Sequence, residues 1–429
     1  MKAFFTLLIY RAILPLLFLV AFPGWILKML RRGGFGTALN ERIGLYFTPS
    51  DFEPCRAIHL HAISVGETIT ALKLMREWQN EHPDARFVLA TGTATGHQTA
   101  TAAAIPDLRV TYAPLDFPWM IRSYLKRFEP SQIVLIEGET WPNLLRFAEK
   151  QHIPVSLANA RLSPRSARRF NYFASYLRPF FSRLTCVCIQ ENEHRRIWEN
   201  LGIAPENIHL TGSIKFDPQS SAVPEQRSDF REMLAAFGKG RPIILAASTF
   251  PGEEVLIASA IREADPNALP VIVPRHAERR QEVSQTLTQS GFHVTLRSVF
   301  ETPLQTENVV FVIDTTGELA TWTAHADVVT IGKSFLSTGG QNPAEAILAK
   351  KPLILGPHME NFQPLVRHLH AAEAALLARD SEEISSAIRR ALNPMIAEKL
   401  TQHATAILAS HHGATKRHLK VLHLQPKTA

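Results

Sequence analysis

Along this chain, short apolar runs alternate with longer stretches in which apolar residues recur every three or four positions. The stretch HLHAISVGET (59–68) shows the change of period most sharply. Ile58, Leu60 and Ala62 alternate with His59 and His61, which predicts a strand; Ser64-Val65-Gly66 breaks it, and Ile69, Leu72 and Met75 predict a helix beyond. The same unit recurs. Strand-like runs follow at FVLAT (87–91), VTYAP (110–114), IVLIE (133–137), PVSLAN (154–159), CVCIQ (186–190) and IHLTG (208–212). The polar, Pro- and Ser-containing DPQSSAVPEQRSD (217–229) predicts a linker. The alternation then restarts with IILAAS (243–248), VIVPR (271–275), VVFVID (309–314), VVTIG (328–332) and LILGP (353–357). Strands separated by helices imply parallel βαβ units with both sheet faces covered. The expected fold class is therefore α/β, two doubly wound Rossmann-like domains in tandem with a ligand cleft where they face each other. The expected bounds are 1–34 for an N-terminal segment, 35–216 for the first domain, 217–240 for the linker, 241–405 for the second domain, and 406–429 for a helical, basic tail.

The N-terminal segment breaks the pattern. Residues 3–27 carry one charge, Arg11, and the run from Ala12 to Leu27 is apolar or neutral, with Pro15 and Pro23 inside it and Lys28, Arg31 and Arg32 straight after. No small-x-small site suggests cleavage, and the basic cluster lies on the wrong side for a secretory signal. The expectation is an uncleaved anchor, single-pass or interfacial, with the downstream chain held on the cytoplasmic side. A second unusual stretch, 160–184, mixes Arg161, Arg165, Arg168, Arg169, Arg178 and Arg183 with Phe170, Tyr172, Phe173, Tyr176, Phe180 and Phe181. It fits either a surface meeting anionic lipid or an ordinary packed helix with solvated arginines.

With 45% hydrophobic and 20% charged residues the chain is globular, and 429 residues suffice for two cores. The formal charge of +7 favours anionic partners without choosing among them. Nucleic acid is not among those expected, since no stacking aromatics on a sheet and no recognisable module accompany the charge. Of the three cysteines, Cys186 and Cys188 lie two apart in an apolar strand and are expected buried and reduced; with Cys55 they form no disulfide framework.

Candidate chemistry gathers where strands end. Ser64, Gly66 and Glu67 follow the first strand, and a carboxylate in a first helical turn can either complement the helix terminus or face a crevice. EGETWPN puts Glu137 and Glu139 straight after a buried strand, and TGSIKFD puts Lys215 just after another. In the second domain, Ser248 and Thr249 end a strand before Gly252, Glu253 and Glu254; Pro274, Arg275 and His276 end the next; DTTGEL (314–319) ends a third. The stretch IGKSFLSTGGQNPAEA (331–346) is the richest loop. Gly339 and Gly340 allow close backbone approach, Asn342 is placed as a helix N-cap with Pro343 at the first helical position, and Glu345 falls in the first turn. Such a helix start can receive an anion, and Arg275 can clamp a phosphate. No Walker lysine and no GxGxxG follow the first strand, and no paired His/Cys or DxD spacing suggests a fixed metal or other cofactor.

These motifs resemble a known family. HAISVGE, GETWPN, NARLSPRS, TGSIKFD, STFPGEE, VPRHAER, DTTGEL, GGQNPAEA and GPHMENF run in this order over about residues 59–362, behind an N-terminal anchor. Together they resemble the 3-deoxy-D-manno-octulosonic acid (Kdo) transferases of Gram-negative bacteria, glycosyltransferase family 30. The resemblance implies a GT-B fold and inverting, metal-independent transfer of Kdo from CMP-Kdo to the lipid A precursor (lipid IVA) at the cytoplasmic face of the inner membrane, in lipopolysaccharide core biosynthesis. Carried over by position, Glu67 is the catalytic base, and Glu137 and Lys215 are the residues that act on the transition state. CMP contacts fall on Pro274, Arg275, Thr316, Gly317, Glu318, Asn342, Pro343, Ala344 and Glu345; Ser64, Gly66, Ser248, Gly339 and Gly340 join the substrate-binding set. Family members often carry His at Gln341, Met at Thr316, Thr at Gly138 and His-Glu at Phe250-Pro251, departures that bear on donor affinity and acceptor preference. Beside this stand another GT-B sugar-nucleotide enzyme, either an epimerase or a UDP-sugar transferase, and a membrane-tethered anion-binding protein. The partners expected are CMP-Kdo, the lipid A precursor and anionic inner-membrane lipids.

Overall fold

The computed structural model describes residues 2–32, 37–45, 56–138, 141–217, 224–300 and 308–423; Cys55, Glu139 and part of the expected linker lie outside the described residues. The chain divides into two units, Met1–Asp217 with Gly413–Ala429, and Pro218–His412.

The first unit is built on β1 (Ile58–Ala62), β2 (Phe87–Thr91), β3 (Leu108–Tyr112), β4 (Gln132–Ile136), β5 (Val155–Ala160), β6 (Cys186–Ile189) and β7 (Ile208–Leu210). They form one parallel sheet in the order β3-β2-β1-β4-β5-β6-β7, with Leu60 opposite Leu89 on one side and Val134 on the other. Alternate residues of each strand feed separate cores. Ile133, Leu135, Val155, Leu157 and Val187 enter one, and Leu60, Val134, Ile136, Phe87 and Leu89 the other. Both faces are therefore dry, as the alternation of strands and helices predicted. Cys186 and Cys188 are buried in β6 and form no disulfide.

The second unit holds β8 (Ile243–Thr249), β9 (Leu269–Pro274), β10 (His293–Leu296), β11 (Val309–Val312), β12 (Val328–Ile331), β13 (Leu353–Leu355) and β14 (Leu376–Leu377), in the parallel order β10-β11-β9-β8-β12-β13-β14. Two of these strands carry no clear sequence signal. β10 and β14 are the sheet edges; the first is partly exposed throughout and the second is two residues long, so neither shows a sustained apolar run.

The apolar N-terminal segment is a helix, Lys2–Arg32, with Pro15 and Pro23 inside it, and Phe5–Gly24 is long and apolar enough to cross a membrane. It is not a free rod. Leu7 is buried in the first unit's core, Tyr10 Oη donates to Asp116 Oδ2 at 2.9 Å, and Arg11 Nε donates to Asn143 Oδ1 at 2.8 Å. The opposite side leaves Phe5, Leu8, Ile9, Leu16, Leu17 and Val20 exposed. The Arg- and aromatic-rich stretch forms two helices, Pro164–Tyr172 and Ala174–Phe181. Phe170 and Phe181 pack against Trp198 and Phe180 joins the same core, as an ordinary packed helix requires, while Tyr172, Phe173 and Tyr176 are exposed.

Strand β1 carries two histidines into this dry interior. His59 and His61 alternate with apolar residues, and both imidazoles are buried because β1 is central and covered on both sides, as the expected covering of both sheet faces requires. Burial pushes His61 down to about 4, and pushes His59 well below its ordinary value with help from His61. His418 on the last helix, Ala414–His423, is likewise buried and pushed to about 4 by desolvation. Asp116 moves the other way, raised by burial to about 6. The depressed imidazoles contribute stability that is complete above 6.5 and lost as pH falls toward 4. Asp116 contributes stability that is complete below 3.8 and lost as pH rises through 6. Burial lowers His97, His209 and His325 as well and raises Glu137 and Glu345 beside Asp116, so the lowered imidazoles outnumber the raised carboxyls and the unfolded chain binds more protons in this window. The unfolding free energy of detergent-solubilised protein, from urea titration, should fall from pH 6.5 to 4 with a slope of up to roughly 2–3 kcal/mol per pH unit; a flat profile would show these imidazoles to be hydrated.

Candidate active site

In the first sheet the strand order reverses between β1 and β4, and a crevice opens outside the carboxyl ends of such a pair. The residues there come from three strand ends and one loop. β1 ends at Ala62 and the helix Val65–Glu81 begins almost at once. Ser64 caps that helix: its Oγ accepts from Glu67 N at 3.2 Å and donates to Glu67 Oε1 at 3.0 Å. Glu67 Oε2 accepts from Ile63 N at 2.7 Å, a capping box lengthened by one residue. The half-buried carboxylate is thus fixed at the strand–helix elbow, with lone pairs to spare beyond these two bonds. Gly66 beside it is exposed, and a Cβ there would meet nothing closer than 3.9 Å, so the fold does not demand glycine at this point. Its bare backbone leaves open space next to Glu67.

Glu137 follows β4 at φ 67°, a left-handed conformation that costs a non-glycine residue roughly 1 kcal/mol or more. The strain is held by Glu137 N donating to Ala158 O and Arg161 N donating to Glu137 O, each at 2.9 Å. Burial raises the Glu137 carboxyl above its usual range; Lys215 and then Arg161 pull it back, and Glu67 pushes it up. Lys215 is lowered by burial, restored in part by Glu137 and lowered further by Arg161. The fold therefore brings Glu67, Glu137 and Lys215 into one electrostatic cluster and adds Arg161 to it. Two carboxylates beside two cations suit proton transfer coupled to stabilisation of a developing anion. Arg161 stands in NARLSPRS, straight after a buried strand, and that position is the signal by which it could have been singled out.

The second unit's order reverses between β8 and β12. Ser248 sits there at φ 58°, and Gly332 lies so close that a Cβ would come within 2.5 Å of Ser248 O. Here glycine is obligatory. Beyond it, Glu253 organises the loop: its buried carboxylate accepts from Phe250 N (2.9 Å), Lys333 N (2.6 Å) and Phe335 N (3.0 Å). Glu254 accepts from Thr249 Oγ1 and pairs with Arg279 at 2.9 Å. These two acids shape the crevice from behind, a role no sequence signal separated from helix-start charge.

Pro274 is buried and Arg275 exposed, with Arg275 N donating to Thr249 O at 3.0 Å. The Arg275 charge reaches Glu345, whose carboxyl burial raises and Arg275 pulls back. Thr316 and Gly317 are exposed after β11. Glu318 is more engaged, accepting from Thr315 Oγ1 (2.6 Å), Trp322 Nε1 (3.2 Å) and Arg297 Nη2 (3.3 Å). Gly339 N donates to Glu360 Oε2, and a Cβ at Gly340 (φ 69°) would strike Met359 Sδ. The helix expected after Asn342 spans Ala344–Leu348, so Pro343 rather than Asn342 is the cap residue; Asn342 Oδ1 still accepts from Ala344 N at 3.1 Å. The shift of one residue arises because Pro343 turns helical before the first helical hydrogen bond closes. Ser248, Arg275 and Glu345 thus border the second reversal, while Thr316, Gly317 and Glu318 lie at the end of β11, two strands away.

Comparison with known proteins bears on these sites. Residues 37–218 match the family described as 3-deoxy-D-manno-octulosonic-acid transferase (kdotransferase). The chain is 32% identical to the 3-deoxy-D-manno-octulosonic acid transferase of Haemophilus influenzae, over 90% of each chain. It is 33% identical to that of Bordetella pertussis, over 96% of each. Among solved structures, UDP-GlcNAc 2-epimerase from Neisseria meningitidis superposes with a TM-score of 0.56 at 15% identity, over 85% of this chain and 99% of that one. The likeness to the epimerase concerns the two-Rossmann GT-B fold alone.

Proposed function

Because the chain belongs to the 3-deoxy-D-manno-octulosonic acid (Kdo) transferase family of glycosyltransferases, we propose that it moves Kdo from CMP-Kdo to the lipid A precursor (lipid IVA), with inversion and with Glu67 as general base. The observation that carries this reading is the convergence of Glu67, Glu137 and Lys215 at the strand-order reversal of the first sheet. The acceptor hydroxyl oxygen forms a bond to the anomeric carbon, the bond from that carbon to the cytidylate oxygen breaks, and the hydroxyl proton passes to Glu67. Inversion follows from attack opposite the leaving group. Lys215 meets the Kdo carboxylate and the charge that builds as the bond breaks, and Glu137 keeps that ammonium oriented.

The leaving cytidylate is a phosphate monoester, so one guanidinium with backbone donors can hold it. Arg275 supplies the guanidinium. Ser248, Pro274, Gly339, Gly340, Asn342, Pro343 and Ala344 shape the pocket, and Glu345 is placed to accept from ribose hydroxyls. Thr316, Gly317 and Glu318 complete the cytidylate set, with Ser64 and Gly66 on the acceptor side.

The acceptor is a lipid, and the apolar side of the N-terminal helix supports a membrane location, at the cytoplasmic face of the inner membrane. Its docking through Leu7, Tyr10 and Arg11 supports a helix lying in the interface, with Tyr172, Phe173 and Tyr176 beside anionic headgroups. Mass spectrometry of lipid IVA incubated with the detergent-solubilised protein tests the reading. CMP-Kdo should add Kdo to the lipid, and UDP-N-acetylglucosamine should add nothing. An unmodified lipid with CMP-Kdo, or turnover of the uridine nucleotide, would overturn it.

A further inference from the structure

Six residues beyond Glu67 on the same helix, Lys73 is half-buried and reaches across the first unit to the loop that carries Lys215. Its Nζ donates to Ile214 O at 3.0 Å and to Asp217 O, the carbonyls on either side of Lys215 and Phe216. Burial lowers the Lys73 ammonium, and the charge of Asp217 offsets part of this. The Asp217 carboxylate makes its hydrogen bonds elsewhere, accepting from Gly413 N at 2.8 Å and Thr415 N at 2.7 Å at the start of the last helix. Burying an ammonium is costly unless hydrogen bonds replace its water, and here the two carbonyls that replace it belong to one turn and hold it.

The turn is held from every side. Asp217 N donates to Ser213 O at 3.1 Å, and the side chains of Ile214 and Phe216 are buried on either side of half-exposed Lys215. Ile214 N donates to Asn159 Oδ1 at 3.0 Å, and Asn159 N donates to His418 Nε2 at 2.9 Å. His418 Nδ1 faces Ala414 O at 2.8 Å, so the imidazole carries its proton on Nδ1 and accepts at Nε2. A helix is a stiff rod, and Glu67 and Lys73 are separated by about 9 Å along its axis.

We propose that Lys73 is a positioning residue for the transfer reaction, holding the Lys215 turn at a set distance from Glu67 so that the ammonium meets the donor carboxylate while the base meets the acceptor hydroxyl. This rests on the assignment of Lys215 to the reacting centre made above. A shift of about 1 Å in a catalytic group can cost on the order of 10²-fold.

The test is a double-mutant cycle on the full chain in detergent, with circular dichroism and the melting transition as the measure of folded protein. Lys73→Met keeps the length of the stem and removes the donors. It should lower kcat roughly 10- to 100-fold with little change in donor KM, and Lys73→Arg should restore much of the loss. Combined with Lys215→Met, it should add no further loss, because its effect runs through Lys215. Multiplying losses in the double variant, or full activity of Lys73→Met beside an impaired Lys215→Met, would overturn the positioning role alone. Full activity of Lys215→Met would remove the site assignment, and this proposal with it.

Discussion

Glu67→Gln should lower kcat by roughly 10²- to 10⁴-fold, the range a general base supplies, while CMP binds as before. Two roles of the same carboxylate make different demands on this variant. As a cap, Glu67 accepts from Ser64 Oγ and Ile63 N. Glutamine keeps one acceptor oxygen, so losing the rest costs about 1 kcal/mol of stability at most. As a base, the carboxylate must take a proton, and an amide cannot. The loss then corresponds to roughly 3–5 kcal/mol of barrier. A variant with a slightly lower melting temperature and full turnover would make Glu67 a cap and nothing more. Circular dichroism and the melting transition separate this from a folding defect of the first unit, and calorimetric cytidylate binding, whose proposed contacts lie in the other unit, reports on that unit.

Lys215→Met should lower kcat by roughly 10²- to 10³-fold, the size of effect seen when a preorganised electrostatic partner is removed. A second consequence distinguishes it from the first variant. Lys215 is the leading influence that holds the Glu137 carboxyl down against burial. Without it, Glu137 stays protonated to higher pH, so the acid limb of the residual activity should move upward. Arg161 softens this shift, because it also lowers Glu137. An unchanged pH profile with full activity would place Lys215 outside the reacting centre.

The strands that sheet centres require were legible as uninterrupted apolar runs. FVLAT coincides with β2 residue for residue, and CVCIQ overruns β6 by a single residue. The edge strands were not, because β10 and β14 bury too little to impose a pattern. Glu67, Glu137 and Lys215 could be singled out because polar residues straight after buried strands have no packing reason to be there. Their partners were harder to see. Glu253 reads as an ordinary first-turn acid, and only its bonds to Phe250, Lys333 and Phe335 identify it as the support of a distant loop.

Taken alone, the sequence determines the parallel α/β architecture, since strands separated by helices leave few other topologies, and it determines which strand ends carry charge. Whether those charges meet was decided by strand order. Placing β4 beside β1 sets Glu137 next to Glu67, although they stand far apart in the chain. Tertiary structure alone also returned the last helix to the first unit, where Asp217 receives Gly413 and Thr415, and His418 receives Asn159. No local pattern encodes such contacts, because they depend on which surfaces remain unfilled once both sheets have formed.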